Sequence, residues 1–188
     1  MGAAMSGGHG GIEGSNKRVA LLISVLALFL AFSETLGKAA QTDAISANVE
    51  ASNQWAFFQA RTIRSTVLKT ADEAIALLPP GPNQEAIQAK RAEWAKTMAR
   101  WDSEPATGEG RKELSEKAKV AQEKRDLSLH RYHHYELASA AFQIGIVLAS
   151  AEVITGIVAL VFAGGLLGIA GAVMLGFGFF APHALHLF

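Results

Sequence analysis

The chain has no cysteine. Disulfide bridges and thiolate chemistry are therefore excluded. The compartment stays open, because an oxidising environment permits disulfides without requiring them. There is no net charge either: 17 Lys plus Arg balance 17 Asp plus Glu, so no overall basic excess points to nucleic acid. No Gly-rich phosphate loop, nucleophile elbow or His-Glu-x-x-His motif is present. No catalytic residue, cofactor or metal site is expected on this reading, and the protein is read as non-enzymatic.

Charge is scarcest over residues 137–180, where Glu152 is the one charged side chain in 44 residues. A helix of that length would run about 66 Å. A bilayer core is about 30 Å thick and takes about 20 residues per pass. The run is too long for one span and fits two. Backbone groups in lipid must be bonded internally, so the two passes are expected as helices joined by a tight turn at Thr155-Gly156. A second apolar stretch, residues 19–32, follows Lys17-Arg18 and extends to Leu36. It reads as a first span. A rival reading is a cleaved signal peptide with its small-x-small step at Ala31-Phe32-Ser33. The helical pattern continuing beyond Ser33 favours an uncleaved anchor.

Between the spans, residues 34–78 lack proline and hold one glycine, Gly37. Ile45, Val49, Ser52, Ala56, Ile63, Val67, Thr70, Ala74 and Leu77 recur at steps of three, four and seven, which marks a helical stripe. Many of them are small, which predicts close packing against a returning helix. Pro79-Pro80-Gly81-Pro82 ends that helix. Asn83 is placed to cap the next, whose Ile87, Trp94, Met98 and Trp101 share a face and read as core. Residues 102–110 read as a loop. A further helix then carries Leu114, Ala118, Ala121, Arg125, Ser128, Tyr132 and Tyr135 near heptad spacing and runs into the second span.

The expected organisation is all-α. A Gly-rich flexible tail (1–16) precedes a first membrane helix (17–37). A soluble helical stalk follows (38–134), with turns near 79–82 and 102–110. Two more membrane helices (135–155 and 156–182) and a short tail (183–188) complete the chain. One ascending helix of about 64 Å matches two shorter descending ones totalling about 67 Å, which suggests an antiparallel coiled-coil-like stalk. A compact three-helix bundle is the alternative.

The stretch Ser52-Asn53-Gln54-Trp55-Ala56-Phe57-Phe58-Gln59-Ala60-Arg61-Thr62-Ile63 resembles the signature of an uncharacterised bacterial membrane-protein family, classed as a domain of unknown function. The likeness runs over nearly the whole chain after the tail. Arg61 and Thr62 stand where the family carries Lys and Ser, and the basic residues usual after the second span are missing at Thr155-Gly156-Ile157. The resemblance implies one N-terminal and two C-terminal spans around a charged helical middle. It implies no reaction.

Three groups are candidate sites. Trp55, Phe57 and Phe58 form either a packing layer between helices or a docking patch for another subunit. Gly164 and Gly168, with Ala141, Gly145 and Ala149 on the neighbouring span, are small-xxx-small sets that let helices approach, within a chain or between chains. His130, His133, His134, His183 and His186 should gather at one membrane face, because the last two spans form a hairpin. His130 and His134, four apart, share a helix face as a metal would require. Histidines also suit a headgroup boundary, and that reading is preferred. Glu34 and Glu152 lie near membrane depth, each within about a turn of a span's end, where a carboxylate reaches water at modest cost.

The favoured function is a multi-pass, membrane-anchored helical scaffold or interaction module. Its partners would be the lipid bilayer, further copies of itself as a homo-oligomer, and an unidentified protein, with no nucleic acid. The alternatives are an oligomeric channel or transport component and a metal- or pH-sensing membrane protein. The resemblance implies a bacterial inner membrane. Lys17-Arg18 before the first span, with only Lys38 closely after it, favours a cytoplasmic N-terminus and a periplasmic stalk. Lys117, Lys119, Lys124, Arg125 and Arg131 before the second span favour the reverse, and the first span is taken to decide.

Overall fold

The computed structural model describes the backbone of residues 9–184 and the side chains of residues 17–184. The expected tails over residues 1–8 and 185–188, and His186, lie outside the described residues. Four helices account for nearly all of the rest: α1 (His9–Ala76), α2 (Gln84–Asp102), α3 (Arg111–Thr155) and α4 (Ala159–Phe180). The fold is all-α, and α1, α3 and α4 are each long and apolar enough to cross a membrane by length and composition. α1 starts at His9, inside the stretch read as a tail, so Gly10, Gly11 and Gly14 weaken the helix there without stopping it.

The stops have local causes. α1 ends three residues before Pro79, whose missing donor cannot continue the ladder. Asn83 precedes α2, but its side chain makes no capping bond, contrary to the sequence expectation. α3 ends at Thr155, and Gly156 takes φ +71°, the left-handed geometry that glycine adopts without a Cβ penalty.

The chain divides into two compact units. The first holds the chain up to Ala44 and from Asp126 onward. Within it, Phe29 stacks on Phe142 at 5.7 Å, and the Ser33 hydroxyl donates to the Tyr135 carbonyl at 3.3 Å. These pairs run in opposite order along the chain, so α1 and α3 are antiparallel here. Leu26, Ala138 and Phe142 form the buried centre, with Leu22, Leu30, Ile146, Met174 and Leu175 around it.

The second unit is Ile45–Arg125. Along α1 in reverse, Asp72 pairs with Arg91 of α2 at 2.6 Å, Arg61 with Glu109 at 2.8 Å, and Phe58 lies under Arg111 of α3 at 5.6 Å. α2 and then α3 therefore return along α1 within this unit. The joint between them is built around Glu113, which accepts from the Ser103 hydroxyl at 2.7 Å and the Glu104 N–H at 3.1 Å. Gly110 is required there, since a Cβ would come within 2.7 Å of the Ser103 Cα. The α2 face with Ile87, Trp94, Met98 and Trp101 is only half-buried, so α2 lies on the unit's surface rather than at its centre.

Burial overturns one expectation. On α3, Leu114, Ala118, Ala121, Ser128 and Tyr135 are buried, on the anticipated face. On α1 the anticipated stripe points outward: Ile45, Val49, Ile63 and Val67 are 54–64% exposed, and Ser52, Ala56, Thr70, Ala74 and Leu77 are exposed as well. The inward residues are instead Ala40, Ala44, Ala47 and Ala51, continued by half-buried Trp55, Phe58, Thr62 and Ser65. Alanine lets helix axes come closer than Ile or Val does, and the intrachain contact uses the smaller face.

Candidate functional site

The aromatic motif divides by helical position. Trp55 and Phe58 are three apart, and their rings meet edge to face at 5.4 Å. Both are half-buried, and the Arg111 guanidinium covers Phe58 from α3. Such an edge contact with a cation on the ring face adds roughly 1–2 kcal/mol to the burial itself. Phe57 points elsewhere and is 61% exposed. It lines a cleft of about 460 Å³ with Gln54, Arg61, Arg64, Glu109 and Lys117. The motif thus supplies a packing pair and, beside it, one exposed ring.

In the first unit the glycines are spent on contacts within the chain. A Cβ on Gly164 would lie 2.7 Å from the Gly145 carbonyl oxygen, and one on Gly145 would lie 2.9 Å from that of Gly164. Gly168 faces Leu26, Gly171 faces Phe142, and Gly178 faces Tyr135. These residues bring α4 against α3 and α1, and Gly164, Gly168, Gly171 and Gly178 are all buried. Gly165 and Gly176 face open space.

The histidines have separate surroundings. His134 is 1% exposed, and its Nε2 is 3.2 Å from the Pro182 carbonyl, which ties α3 to the segment after α4. His130 and His183 meet ring to ring at 5.4 Å. His133 faces Glu136 at 3.8 Å, and the Tyr132 hydroxyl donates to the same carboxylate at 3.3 Å. His130 and His183 are brought together, but no group of three or more His, Cys, Asp or Glu able to hold a metal occurs among the described residues. On His134 the Nε2 is taken up by the Pro182 carbonyl, and the Nδ1 is buried without a hydrogen-bond partner.

A family model matches residues 15–181, from within α1 to the residue after α4; it is described as "Domain of unknown function (DUF4337)". The chain belongs to the DUF4337 family. No curated protein and no solved structure matches this chain. The DUF4337 match therefore covers both units and carries no assigned reaction.

Two features of this DUF4337 protein go beyond what the sequence indicated. Glu152, expected to reach water, is 6% exposed, and its Oε2 has no hydrogen-bond partner. Its burial depends on neighbours that the linear pattern does not identify. The second feature is the pair of carboxylates set in polar cradles. The Arg91 guanidinium, bonded twice to Asp72, holds that carboxyl below its ordinary range, and the Ser103 hydroxyl and Glu104 N–H do the same for Glu113. Both brace contacts between the second unit's helices.

Proposed function

We propose that this DUF4337 protein is a non-enzymatic scaffold, anchored in a bacterial inner membrane by three helices and assembled from copies of itself through an antiparallel helical stalk. The observation that carries the reading is the continuity of α1 and α3. Each is one unbroken helix that contains an apolar stretch of membrane length and a charged stretch. Ser33 supports the uncleaved reading of the first span, since it is fully buried against Tyr135 in the middle of α1.

The N-terminus is assigned to the cytoplasm and residues 45–125 to the periplasm, on Lys17-Arg18 before the first span. Retention in the membrane pellet after an alkaline carbonate wash tests the anchoring. A Ser103→Cys variant, in a chain with no other cysteine, should react with a membrane-impermeant thiol reagent in intact cells. Protection until lysis would reverse the orientation, and release by carbonate would remove the anchor.

A second reading, a transport component, is favoured by one observation, the buried and unpartnered oxygen of Glu152. An acid at membrane depth is a candidate for ion or proton handling. Against it, α4 carries no polar side chain that would line a pore. Flux measurements on proteoliposomes separate the two readings. Transport abolished by Glu152→Gln would favour this second reading, and absence of flux favours the scaffold.

A further inference from the structure

The exposed face of α1 in the second unit has a period of its own. Val49, Ala56, Ile63 and Thr70 follow one another at steps of seven. Ile45, Ser52, Gln59 and Thr66 interleave with them at steps of four and three. All eight are exposed, because intrachain packing uses a different side of the helix. A seven-residue repeat is the period at which one helix stays in contact with another along its length. An irregular partner surface does not require it.

We propose that this face, from residue 45 to residue 70, is the seam along which α1 pairs in parallel with α1 of a second copy. The proposal rests on the scaffold reading above and names the surface it uses. Three observations point to a second copy as the occupant. First, the seam positions and the flanking Asn53, Ala60 and Val67 carry no charge, the other flank (Asn48, Trp55, Thr62, Lys69) carries one, and Glu50, Arg61 and Arg64 lie off the seam. In a two-fold contact every layer meets its own copy, so a charged layer would repel itself and an uncharged one does not. Second, α1 contains a membrane-length apolar stretch, so copies inserted the same way present α1 in the same direction and at raised effective concentration. Parallel, in-register pairing is then the geometry available to them. Third, the seam sets one long amide side chain, Gln59, among small and β-branched residues. Gln59 carries both an amide donor and an acceptor, so it can bond to Gln59 of the second copy and hold the register.

The test is a cysteine scan of residues 45–70 in the full-length chain, one substitution at a time, in native membranes under mild oxidation. Val49→Cys, Ala56→Cys and Ile63→Cys should yield disulfide-linked dimer about fivefold above Glu50→Cys, Phe57→Cys and Arg64→Cys, because a bridge needs Cβ atoms about 3.5–4.5 Å apart. Adding Ile63→Glu to Ala56→Cys should return its cross-linking to the level of those controls. A flat profile, or maxima at Glu50, Phe57 and Arg64, overturns the seam. In that event a solution mass above one chain leaves the assembly reading standing with copies meeting elsewhere, and a one-chain mass overturns both.

Discussion

Replacing Gly164 by alanine adds one methyl group at the closest approach of α3 and α4. That Cβ would sit 2.7 Å from the Gly145 carbonyl oxygen and 3.5 Å from the Ala149 nitrogen. Both neighbours are backbone atoms of a helix, so neither can swing aside as a side-chain tip would. Relief requires the two helices to separate by several tenths of an ångström along a contact that also places Gly171 on Phe142 and Gly178 on Tyr135. Overpacking of this kind costs about 1–3 kcal/mol. Alanine's better helix propensity returns about 0.5–1 kcal/mol, which leaves a net loss of up to about 2.5 kcal/mol. Gly165→Ala is the internal control. It adds the same methyl where nothing lies within 4 Å, so it should be neutral or stabilising by about 0.5–1 kcal/mol. Thermal melting of the detergent-solubilised chain, followed by circular dichroism, should show the first variant several degrees below the second. Equal melting temperatures, or a more stable Gly164→Ala, would refute the packing argument.

Acidification should loosen the second unit. The Asp72 and Glu113 carboxyls are held below their ordinary values, so their contribution is fully present above the unfolded values of about 4 and is lost as pH falls through the lower folded ones. Amide exchange in α2 should rise as the pH drops below about 4, once corrected for the intrinsic rate, and Asp72→Asn should remove part of that dependence; a pH-independent exchange profile would count against the cradles. Phe58→Ala should destabilise the second unit by about 1–3 kcal/mol and shift tryptophan emission, while Phe57→Ala should stay within about 0.5 kcal/mol of the parent in chemical denaturation. His134→Ala should free the segment at Pro182 for proteolysis, and unchanged digestion would mean that the Nε2 contact does not hold it.

The sequence carried the element boundaries because strong local breakers sit at them. Pro79 and Pro80 lie just past the end of α1, and Gly156 lies just past the end of α3. The inward face of α3 was legible for a related reason: Leu114, Ala118 and Ala121 form its buried apolar stripe in the second unit. α1 has two. One is rich in β-branched residues and the other in alanine, and the pattern alone does not say which looks inward. Hydropathy favours the first, and closeness of approach selected the second. The candidate residues divided along the same line. Spacing could mark Trp55 with Phe58, and Gly164 with Gly168, as contact makers, since helical geometry fixes which residues share a face. It could not assign their contacts to the chain's own helices, nor show that His134 is committed to the Pro182 carbonyl. That carbonyl is 48 residues away.

The central claim is that the chain works as an assembly in the membrane, and the mass of the purified protein tests it most directly. Light scattering in a mild detergent at micromolar concentration, corrected for bound detergent, should give a protein mass of at least twice the 19.9 kDa of one chain. A stable 19.9 kDa species under those conditions would contradict the account and leave the outward stripe of α1 without the partner proposed for it.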